Sequence, residues 1–234
     1  MTNRPSYSDA YAEICRREGP LRERLQSLTE LVKTYDNRFS DAYEDLVRQV
    51  STTVPGPRTP DVGELLPHFL LPDQNTRLVD LDRLLERGPL VLSFNRGHWC
   101  EYCEMELRAF ARAHTEFAAF GASAVSIMPE KIEFTKQMSL LCDHAFPILS
   151  DMDNAYALAL DLVMWLGDDL SRLYRSVGID IEQFQGNGMW FVPVPATFVV
   201  EQNGRIAWRH VDPDFRRRAE TDEILAVLQS LAGS

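Results

Sequence analysis

The chain has 234 residues, of which 45% are hydrophobic and 25% are charged, and its formal net charge at pH 7 is −11. This composition is typical of a globular protein, and the length fits one large domain or one domain with an extension. The negative charge argues against nucleic acid and anionic membranes as partners, because both would repel this surface.

The amino-terminal residues contain no apolar run that could form the core of a signal peptide. The most apolar stretch, residues 191–200, is too short to span a bilayer and contains two prolines. We therefore expect a soluble, cytoplasmic protein, in which the four cysteines do not form a disulfide framework.

Residues 7–50 have the pattern of helices, divided by Gly19-Pro20 into a short helix and a longer one. Apolar residues recur there at helical spacing, namely Leu21, Leu25, Leu28, Leu31 and Val32. The proline-rich segment 51–60 reads as a linker, which predicts a helical extension at 1–60 and a main domain at 61–234. The extension could pack on the main domain, cover the active site or form a dimerisation arm, and we favour a homodimer contact.

The main domain begins with alternating strand and helix patterns. We predict a buried strand at 89–95, a helix at 104–120, a second strand at 122–128, a helix at 131–144 and a short apolar segment at 147–151. Strand, helix and strand in this order imply a right-handed parallel crossover.

The rest of the chain ends in a hairpin and a helix. We predict a helix at 154–176, an irregular loop at 178–190, a hairpin of strands 196–200 and 205–211 around Asn203-Gly204, and an amphipathic helix at 221–232. The sum is an α/β three-layer sandwich with a mixed central sheet and helices on both faces.

The chemistry is expected at Cys100 and Cys103, which stand in a C-x-x-C spacing between a buried strand and a helix. The amino terminus of a helix presents free N–H groups and a partial positive charge, which favour a thiolate. Two cysteines on one helical turn can form a disulfide, so that one attacks a substrate and the other resolves the product. The layout is that of a thioredoxin-like fold.

Two other interpretations of this pair are structural zinc and inert packing. Zinc would need two more ligands, and the sequence has no second C-x-x-C and no histidines at ligand spacing. We expect neither a metal nor a cofactor.

The neighbours of the pair have opposite effects. The charge of Glu101 should oppose a thiolate at Cys100, whereas Arg96 and His98 would favour it if they face the sulfur. The alternative for His98 is an exposed loop residue. We expect Trp99 to form a wall of the site and Tyr102 to face solvent.

Three further residues have less specific interpretations. Pro195, just before a strand, either caps a sheet edge or forms a cis bond, and a cis proline beside a C-x-x-C would keep both sulfurs accessible. Cys15 and Cys142 are expected to be small core residues.

The segment 62–110, with its W-C-x-Y-C motif, resembles the alkyl hydroperoxide reductase/thiol-specific antioxidant family, the peroxiredoxins, and in particular their peroxiredoxin-like branch. Segments 146–151 and 192–215 continue the resemblance. It implies a thioredoxin-like fold with Pro195 in the cis form. It also implies reduction of hydroperoxides by a thiolate, with regeneration by thioredoxin or a similar dithiol.

The sequence departs from the family pattern P-x-x-x-T-x-x-C at several positions. The threonine of that pattern falls at Cys100 and the peroxidatic cysteine at Cys103, and the arginine that typically assists peroxide binding falls at Pro195. In thioredoxins, by contrast, the first cysteine attacks. Thioredoxin's buried acid is also replaced, because Ser93 and Asn95 stand in that region.

Three hypotheses follow from the residues and the resemblance. The first is a thiol-based peroxidase that cycles through a sulfenic acid and a Cys100–Cys103 disulfide. The second is a thiol-disulfide oxidoreductase acting on disulfide substrates. The third is a redox-sensing binding protein whose contact surface includes the amino-terminal arm and the loop at 186–190.

Overall fold

The computed structural model describes residues 5–233. The helices of this range are α1 (Tyr7–Arg16), α2 (Leu21–Tyr35), α3 (Asn37–Val50), α4 (Leu81–Leu85), α5 (Glu101–Ala119), α6 (Ile132–Leu141), α7 (Ala155–Ala159), α8 (Gly167–Ser176), α9 (Ile181–Gln185) and α10 (Thr221–Ala232). Its strands are β1 (Leu70–Pro72), β2 (Leu78–Asp80), β3 (Leu90–Phe94), β4 (Ser123–Met128), β5 (Ile148–Ser150), β6 (Val163–Trp165), β7 (Phe191–Pro193), β8 (Ala196–Val200) and β9 (Ile206–Val211). None of the helices in residues 5–233 is both long and apolar enough to cross a membrane.

The central sheet has five strands in the order β5-β4-β3-β8-β9. Strands β3, β4 and β5 are parallel, whereas β8 pairs antiparallel with both β3 and β9. Alternate residues of a strand point to opposite faces, so Val91 joins one hydrophobic cluster while Leu90 and Leu92 join the other. The prediction of a mixed-sheet, three-layer α/β sandwich is confirmed.

The two faces of the sheet are covered differently. The face of Val91 carries α5 and α10, with α2, α3, α6 and α8 beyond them in one continuous cluster. The opposite face carries α4, α7 and the small β1–β2 hairpin. The amino-terminal helices therefore lie on the same side as the helix that follows the cysteine motif.

The amino-terminal region contains three helices where the sequence predicts two. The expected break before Leu21 is present, and a second break falls at Asp36, whose backbone is extended and whose side chain accepts the N–H of Arg38. Such a side-chain acceptor begins a new helix without interrupting the helical apolar pattern. The hydrophobic pattern alone therefore predicts α2 and α3 as one continuous helix.

The predicted helix at 154–176 is wrong in its middle. Asp161 has a positive φ of 52° and the chain enters β6, which pairs antiparallel with β7. Pairing between β6 and β7 is a tertiary effect that overrides the local helical pattern. The predicted loop at 178–190 likewise contains the short helix α9, which ends at Gly186 with φ +79°.

The hairpin and the terminal helix are confirmed. Strands β8 and β9 flank the turn at Asn203-Gly204, where Gly204 has a positive φ of 84°. Helix α10 begins with a capping box in which Glu220 and Glu223 each accept the other's backbone N–H.

The cis bond expected at Pro195 is wrong. Within residues 5–233 the cis peptide bond is Val54–Pro55, and the Val194–Pro195 bond is trans. An X-Pro bond favours the trans form unless its surroundings select the cis one. Pro195 directly precedes Ala196, the first residue of β8, and the N–H of Val194 donates to the carbonyl of Leu162. Pro195 therefore lies just outside the paired residues, where no N–H is needed from it.

Candidate active site

The cysteine motif lies in a tight loop between β3 and α5. Gly97 adopts φ +143°, and a Cβ at this position would meet Trp99 Nε1 at 2.5 Å and Glu130 Oε1 at 2.6 Å. Only glycine fits this conformation and this close approach. The loop is therefore fixed against Glu130 before the chain reaches Cys100, which occupies the N-cap position of α5.

The two cysteines occupy the first turn of α5 as free thiols. The carbonyl of Cys100 accepts the N–H groups of Cys103 and Glu104, each at 2.9 Å. Cys100 is 4% exposed and lines a cavity, whereas Cys103 is fully buried behind it. A small molecule in the cavity therefore reaches Cys100 first.

Two arginines place positive charge beside the sulfurs. The backbone N–H of Arg96 lies 3.3 Å from Cys103 Sγ, and Arg218 Nη2 lies 3.5 Å from the same sulfur. The guanidinium of Arg96 is fully buried and lies 4.1 Å from the ring centre of Phe215. It donates a hydrogen bond of 2.7 Å to Tyr174, and no carboxylate of the described chain forms an ion pair with it. Its charge is therefore left for a thiolate.

The sulfurs of the pair differ in acidity. Burial acts to raise the pKa of Cys100, but the hydrogen bond from the Cys103 thiol and the charges of Arg96 and Arg218 lower it to about 5. Burial and the neighbouring thiolate raise the pKa of Cys103 well above the ordinary thiol value. The two thiols titrate as a pair that carries a single negative charge. The lower pKa is that of Cys100, whose thiolate accepts the hydrogen bond of the Cys103 thiol.

A buried acid that was not predicted from the sequence, Glu106, lies on α5 behind the motif. Its Oε1 accepts from Ser93 at 3.4 Å and from Thr197 at 3.3 Å, and its Oε2 lies 3.6 Å from Arg218 Nε. Burial raises its pKa, which Arg218 opposes. A carboxylate three residues after Cys103, on the buried side of an amphipathic helix, was the signal that could have revealed it. Glu106 on α5 is thus a buried acid near the motif, whereas the preceding strand β3 lacks the buried acid of thioredoxin.

His98 is turned toward Glu130. Its Nδ1 lies 2.8 Å from Glu130 Oε1, its backbone N–H donates to Glu130 Oε2 at 2.8 Å, and its ring stacks on Phe134. The described contacts of its side chain are with these groups and Phe184. His98 therefore fixes the loop, and neither its expected position at the sulfur nor its alternative as an exposed loop residue is observed.

Glu101 is tied to the amino-terminal helix α1. The hydroxyl of Tyr7 donates a short hydrogen bond to its carboxylate, and Tyr11 contacts its carbonyl oxygen at 3.4 Å. Burial, opposed by the Tyr7 hydrogen bond, raises the pKa of Glu101 to about 7. Glu101 is also among the residues that line the cavity over Cys100, so its carboxyl group can hold a proton at the site near neutral pH.

The cavity over Cys100 has a volume of about 310 Å³. Its floor is the motif, including Arg96 and Trp99, and its walls come from α8 and from the amino-terminal helices. Trp99 lines it and contacts Tyr174 edge to face at 5.0 Å between ring centres.

Three other expectations have different outcomes. Tyr102 does not face solvent: it is 3% exposed, and its hydroxyl lies 3.1 Å from Thr29 Oγ1, because α2 packs across α5. Cys142 is buried and Cys15 is half-buried against the same cluster. Pro195 is buried and is not among the residues that line the cavity.

The donor set around the pair does not resemble a metal site. In residues 5–233 the side chains that could together hold a metal ion are His68, Asp80 and Asp82, a set that does not include either cysteine of the motif. The guanidinium of Arg218 contacts Cys103 Sγ, and the charge of Arg96 acts on Cys100; both cations oppose the binding of a dication.

Solved structures share this architecture at low sequence identity. The peroxidoxin BcpB of Mycobacterium tuberculosis matches with a TM-score of 0.57 and 23% identity, over 74% of this chain and 98% of that one. A reduced peroxiredoxin of Vibrio vulnificus in complex with hydrogen peroxide matches with a TM-score of 0.57 and 17% identity, over 72% and 98%. A peroxiredoxin-like protein of Aquifex aeolicus matches with a TM-score of 0.55 and 13% identity, over 73% and 87%. No curated protein matches the sequence significantly.

The fold and the cysteine motif at the start of α5 define a thioredoxin-like thiol oxidoreductase. The AhpC/TSA family matches residues 62–209, and the chain belongs to this family. It is therefore a thiol-based antioxidant enzyme of the peroxiredoxin class. The matched residues begin after α3 and end within β9, so neither the amino-terminal helices nor Arg218 is part of the match.

Proposed function

We propose that the protein reduces hydroperoxides with Cys100 as the nucleophile and Cys103 as the resolving cysteine. The observation that carries this assignment is that Cys100 lines the cavity, while Cys103 is fully buried beneath it. The lowered pKa of Cys100 and the raised pKa of Cys103 agree with this order. A thiolate is the reactive form of cysteine. This order is that of thioredoxin and opposite to the order that the family pattern suggests.

The first step is attack of the Cys100 thiolate on the terminal oxygen of the hydroperoxide. The S–O bond forms, the O–O bond breaks, and Cys100 becomes a sulfenic acid. The leaving alkoxide needs a proton, and Glu101 supplies it, because this residue lines the same cavity and its carboxyl group is half-protonated near pH 7. The products are the sulfenic acid and an alcohol, or water when the substrate is hydrogen peroxide.

The second step is attack of the Cys103 sulfur on the Cys100 sulfenic acid. The S–S bond forms and the S–O bond breaks, and the hydroxide leaves as water with the proton of the Cys103 thiol. An external dithiol then reduces the disulfide. Arg218 Nη2 lies 3.5 Å from Cys103 Sγ, so an arginine is present at the site although Pro195 stands at the position of the family's arginine. The charge of Arg96 helps to lower the pKa of Cys100.

The test is a thiol count after addition of one equivalent of hydrogen peroxide to the reduced protein. The wild type should lose two thiols much faster than free cysteine reacts. Cys103→Ser should lose one thiol and hold a sulfenic acid that dimedone traps, and Cys100→Ser should lose none at that rate. Cys142→Ser is the matched control and should behave as the wild type does. Rapid oxidation of Cys100→Ser would contradict the assignment of Cys100 as the nucleophile.

Disulfide exchange is the second candidate, and the position of Cys100 in the cavity with Cys103 buried behind it favours it. A model disulfide that oxidises the reduced protein faster than hydrogen peroxide does would support this candidate. A redox-sensing role would require oxidation without turnover and a change in partner contacts.

The proposal includes a thioredoxin-like reductant, a cytoplasmic location and a homodimer. Thioredoxin with its reductase should sustain NADPH consumption in the presence of peroxide. The molar mass in solution tests the homodimer, and fractionation of cells tests the location.

A further inference from the structure

The amino-terminal helices form nearly half of the lining of the cavity over Cys100. Six of its fourteen lining residues precede residue 62: Tyr7, Val32, Tyr35, Asp36, Phe39 and Tyr43. The AhpC/TSA match begins at residue 62. The family resemblance therefore carries no information about this half of the cavity, which is a feature of this chain.

The size of the cavity exceeds what hydrogen peroxide needs. Its volume is about 310 Å³, at the lower end of the range of small-molecule sites, which is about 300–1,000 Å³. A water molecule occupies about 30 Å³ in the liquid, and hydrogen peroxide has two oxygens instead of one. The space thus suits a substrate with a substantial body attached to its peroxide group.

The walls are apolar and mostly aromatic. Besides Trp99 and Tyr174, the rings of Tyr35, Phe39 and Tyr43 line the cavity. Aromatic side chains contact the flat ring of a ligand edge to face or in offset stacks, and these contacts add stabilisation beyond the burial of apolar area. Their chemistry favours a substrate that carries a ring.

The charged residues of the cavity are balanced within the protein. The carboxylate of Asp36 is paired with Arg38, and the Tyr7 hydroxyl donates to the carboxylate of Glu101. Arg96 also lines the cavity and places a positive charge at its floor. The lining therefore selects a substrate by its apolar and aromatic surface and not by its charge.

We propose that the amino-terminal helices form a substrate site for a hydroperoxide that bears an aromatic ring, with the ring held between α2–α3 and α8 and the peroxide group at Cys100. This inference rests on the proposed peroxidase function and adds its substrate class. Hydrogen peroxide fits the site but leaves most of it empty, and the hydroperoxide of a long-chain fatty acid has no ring for the aromatic walls to contact.

The first measurement compares three oxidants under single-turnover conditions. Cumene hydroperoxide should oxidise Cys100 at least about tenfold faster than hydrogen peroxide, the advantage that burial of two methylene groups would give. Linoleic acid hydroperoxide should react more slowly than cumene hydroperoxide. Equal rates for cumene hydroperoxide and hydrogen peroxide, or a faster rate with the fatty acid hydroperoxide, would overturn the proposal.

A variant at the rim locates the effect. Val177 lines the cavity and is 53% exposed, so Val177→Trp should fill the mouth without disturbing the core. The ratio of the cumene hydroperoxide rate to the hydrogen peroxide rate should fall by about tenfold. Val62 is 55% exposed and does not line the cavity, so Val62→Trp is the matched control and should keep the wild-type ratio. An unchanged ratio in Val177→Trp contradicts the proposal.

A binding measurement separates this inference from the peroxidase function. The unreactive alcohol 2-phenyl-2-propanol should bind the reduced wild type and Val62→Trp with one site in calorimetry, and Val177→Trp should bind it at least about tenfold more weakly. If binding follows this pattern while no hydroperoxide reacts faster than with a free thiol, the peroxidase function fails and the site remains. If hydroperoxides react rapidly but the alcohol does not bind, the peroxidase function remains and the site fails.

Discussion

The carboxylate of Glu220 accepts a hydrogen bond of 2.9 Å from the backbone N–H of Leu21, 199 positions away in the sequence. The same carboxylate accepts the N–H of Arg22 at 2.7 Å, so it caps the amino terminus of α2. It also belongs to the capping box of α10. Because Glu220 follows Arg218 by two residues, one side chain joins the amino-terminal helices to the segment that places an arginine beside Cys103.

Glu220→Ala should destabilise the protein by about 2 kcal/mol, because two helix amino termini each lose a cap worth about 1 kcal/mol. Urea unfolding measures the change. Asp222→Ala is the control: Asp222 is exposed in the first turn of α10, and its loss should cost only about 0.3–1 kcal/mol of helix-dipole energy. Equal losses in the two variants would show that the bond to α2 contributes nothing.

Local patterns predicted the elements that local chemistry determines. The Asn203-Gly204 turn, the strands on either side of it and helix α10 all follow from residues that are neighbours in sequence. The position of Cys100 at the start of α5 follows in the same way from a buried strand, a glycine turn and a helical period.

Contacts between distant segments account for what the sequence did not reveal. Strand β6 exists because β7 pairs with it, and the interior of a helical pattern gives no sign of this partner. Tyr174 and Arg218 reach the motif through folding alone, since neither has a spacing relation to Cys100. The role of the first fifty residues depends likewise on where α1–α3 pack, which their own apolar pattern does not specify.

The Cys100 thiol should titrate far below an ordinary cysteine. With a pKa of about 5, the rate of its alkylation by iodoacetamide should rise between pH 4 and 6 and then stay level, whereas a free thiol reacts increasingly up to about pH 9. Peptide mass spectrometry follows Cys100 separately from the other cysteines. Arg218→Met should move the midpoint upward by about one pH unit, because one cation is lost. Arg172→Met, at an exposed ion pair with Asp169, should leave it unchanged.

The same acidity should appear in the stability of the reduced protein. The pKa of Cys100 is lower in the folded chain than in the unfolded one, where it is about 8.5. The thiolate therefore contributes stability that is fully present above about pH 8.5 and is lost as the pH falls through about 5. The free energy of unfolding of the wild type relative to Cys100→Ser should rise from pH 5 to 8.5. A constant difference across this range would show that no thiolate forms at Cys100.

Gly97→Ala should cost several kcal/mol and slow the oxidation of Cys100. The added Cβ would combine a φ of +143° with approaches of 2.5 Å to Trp99 and 2.6 Å to Glu130, so the loop must move. Gly63 also has a positive φ, of 87°, but nothing lies within 4 Å of its Cβ position. Gly63→Ala therefore isolates the backbone cost, about 1–3 kcal/mol. If the two variants unfold at the same urea concentration, crowding at Gly97 is unimportant.

Glu101 should give the oxidation of Cys100 a bell-shaped pH profile. The thiolate of Cys100 forms as the pH rises through about 5, and Glu101 loses the proton for the leaving oxygen as the pH rises through about 7. The charged and titratable groups that act on Glu101 are the Tyr7 hydroxyl on α1, Cys100 and Glu104. Single-turnover oxidation by hydrogen peroxide should therefore be fastest near pH 6 and fall on both sides.

Glu101→Gln should remove the alkaline limb of this profile and lower the maximum rate by about 10²–10⁴, the usual contribution of a general acid. A purely structural role would instead lower the rate equally at all pH values and leave both limbs in place. Glu104→Gln is the matched control, because Glu104 lies on the same helix and its side chain bonds to Arg108 at 2.8 Å. It should keep both limbs, with the alkaline one moved to lower pH, since a negative charge that raises the pKa of Glu101 is removed.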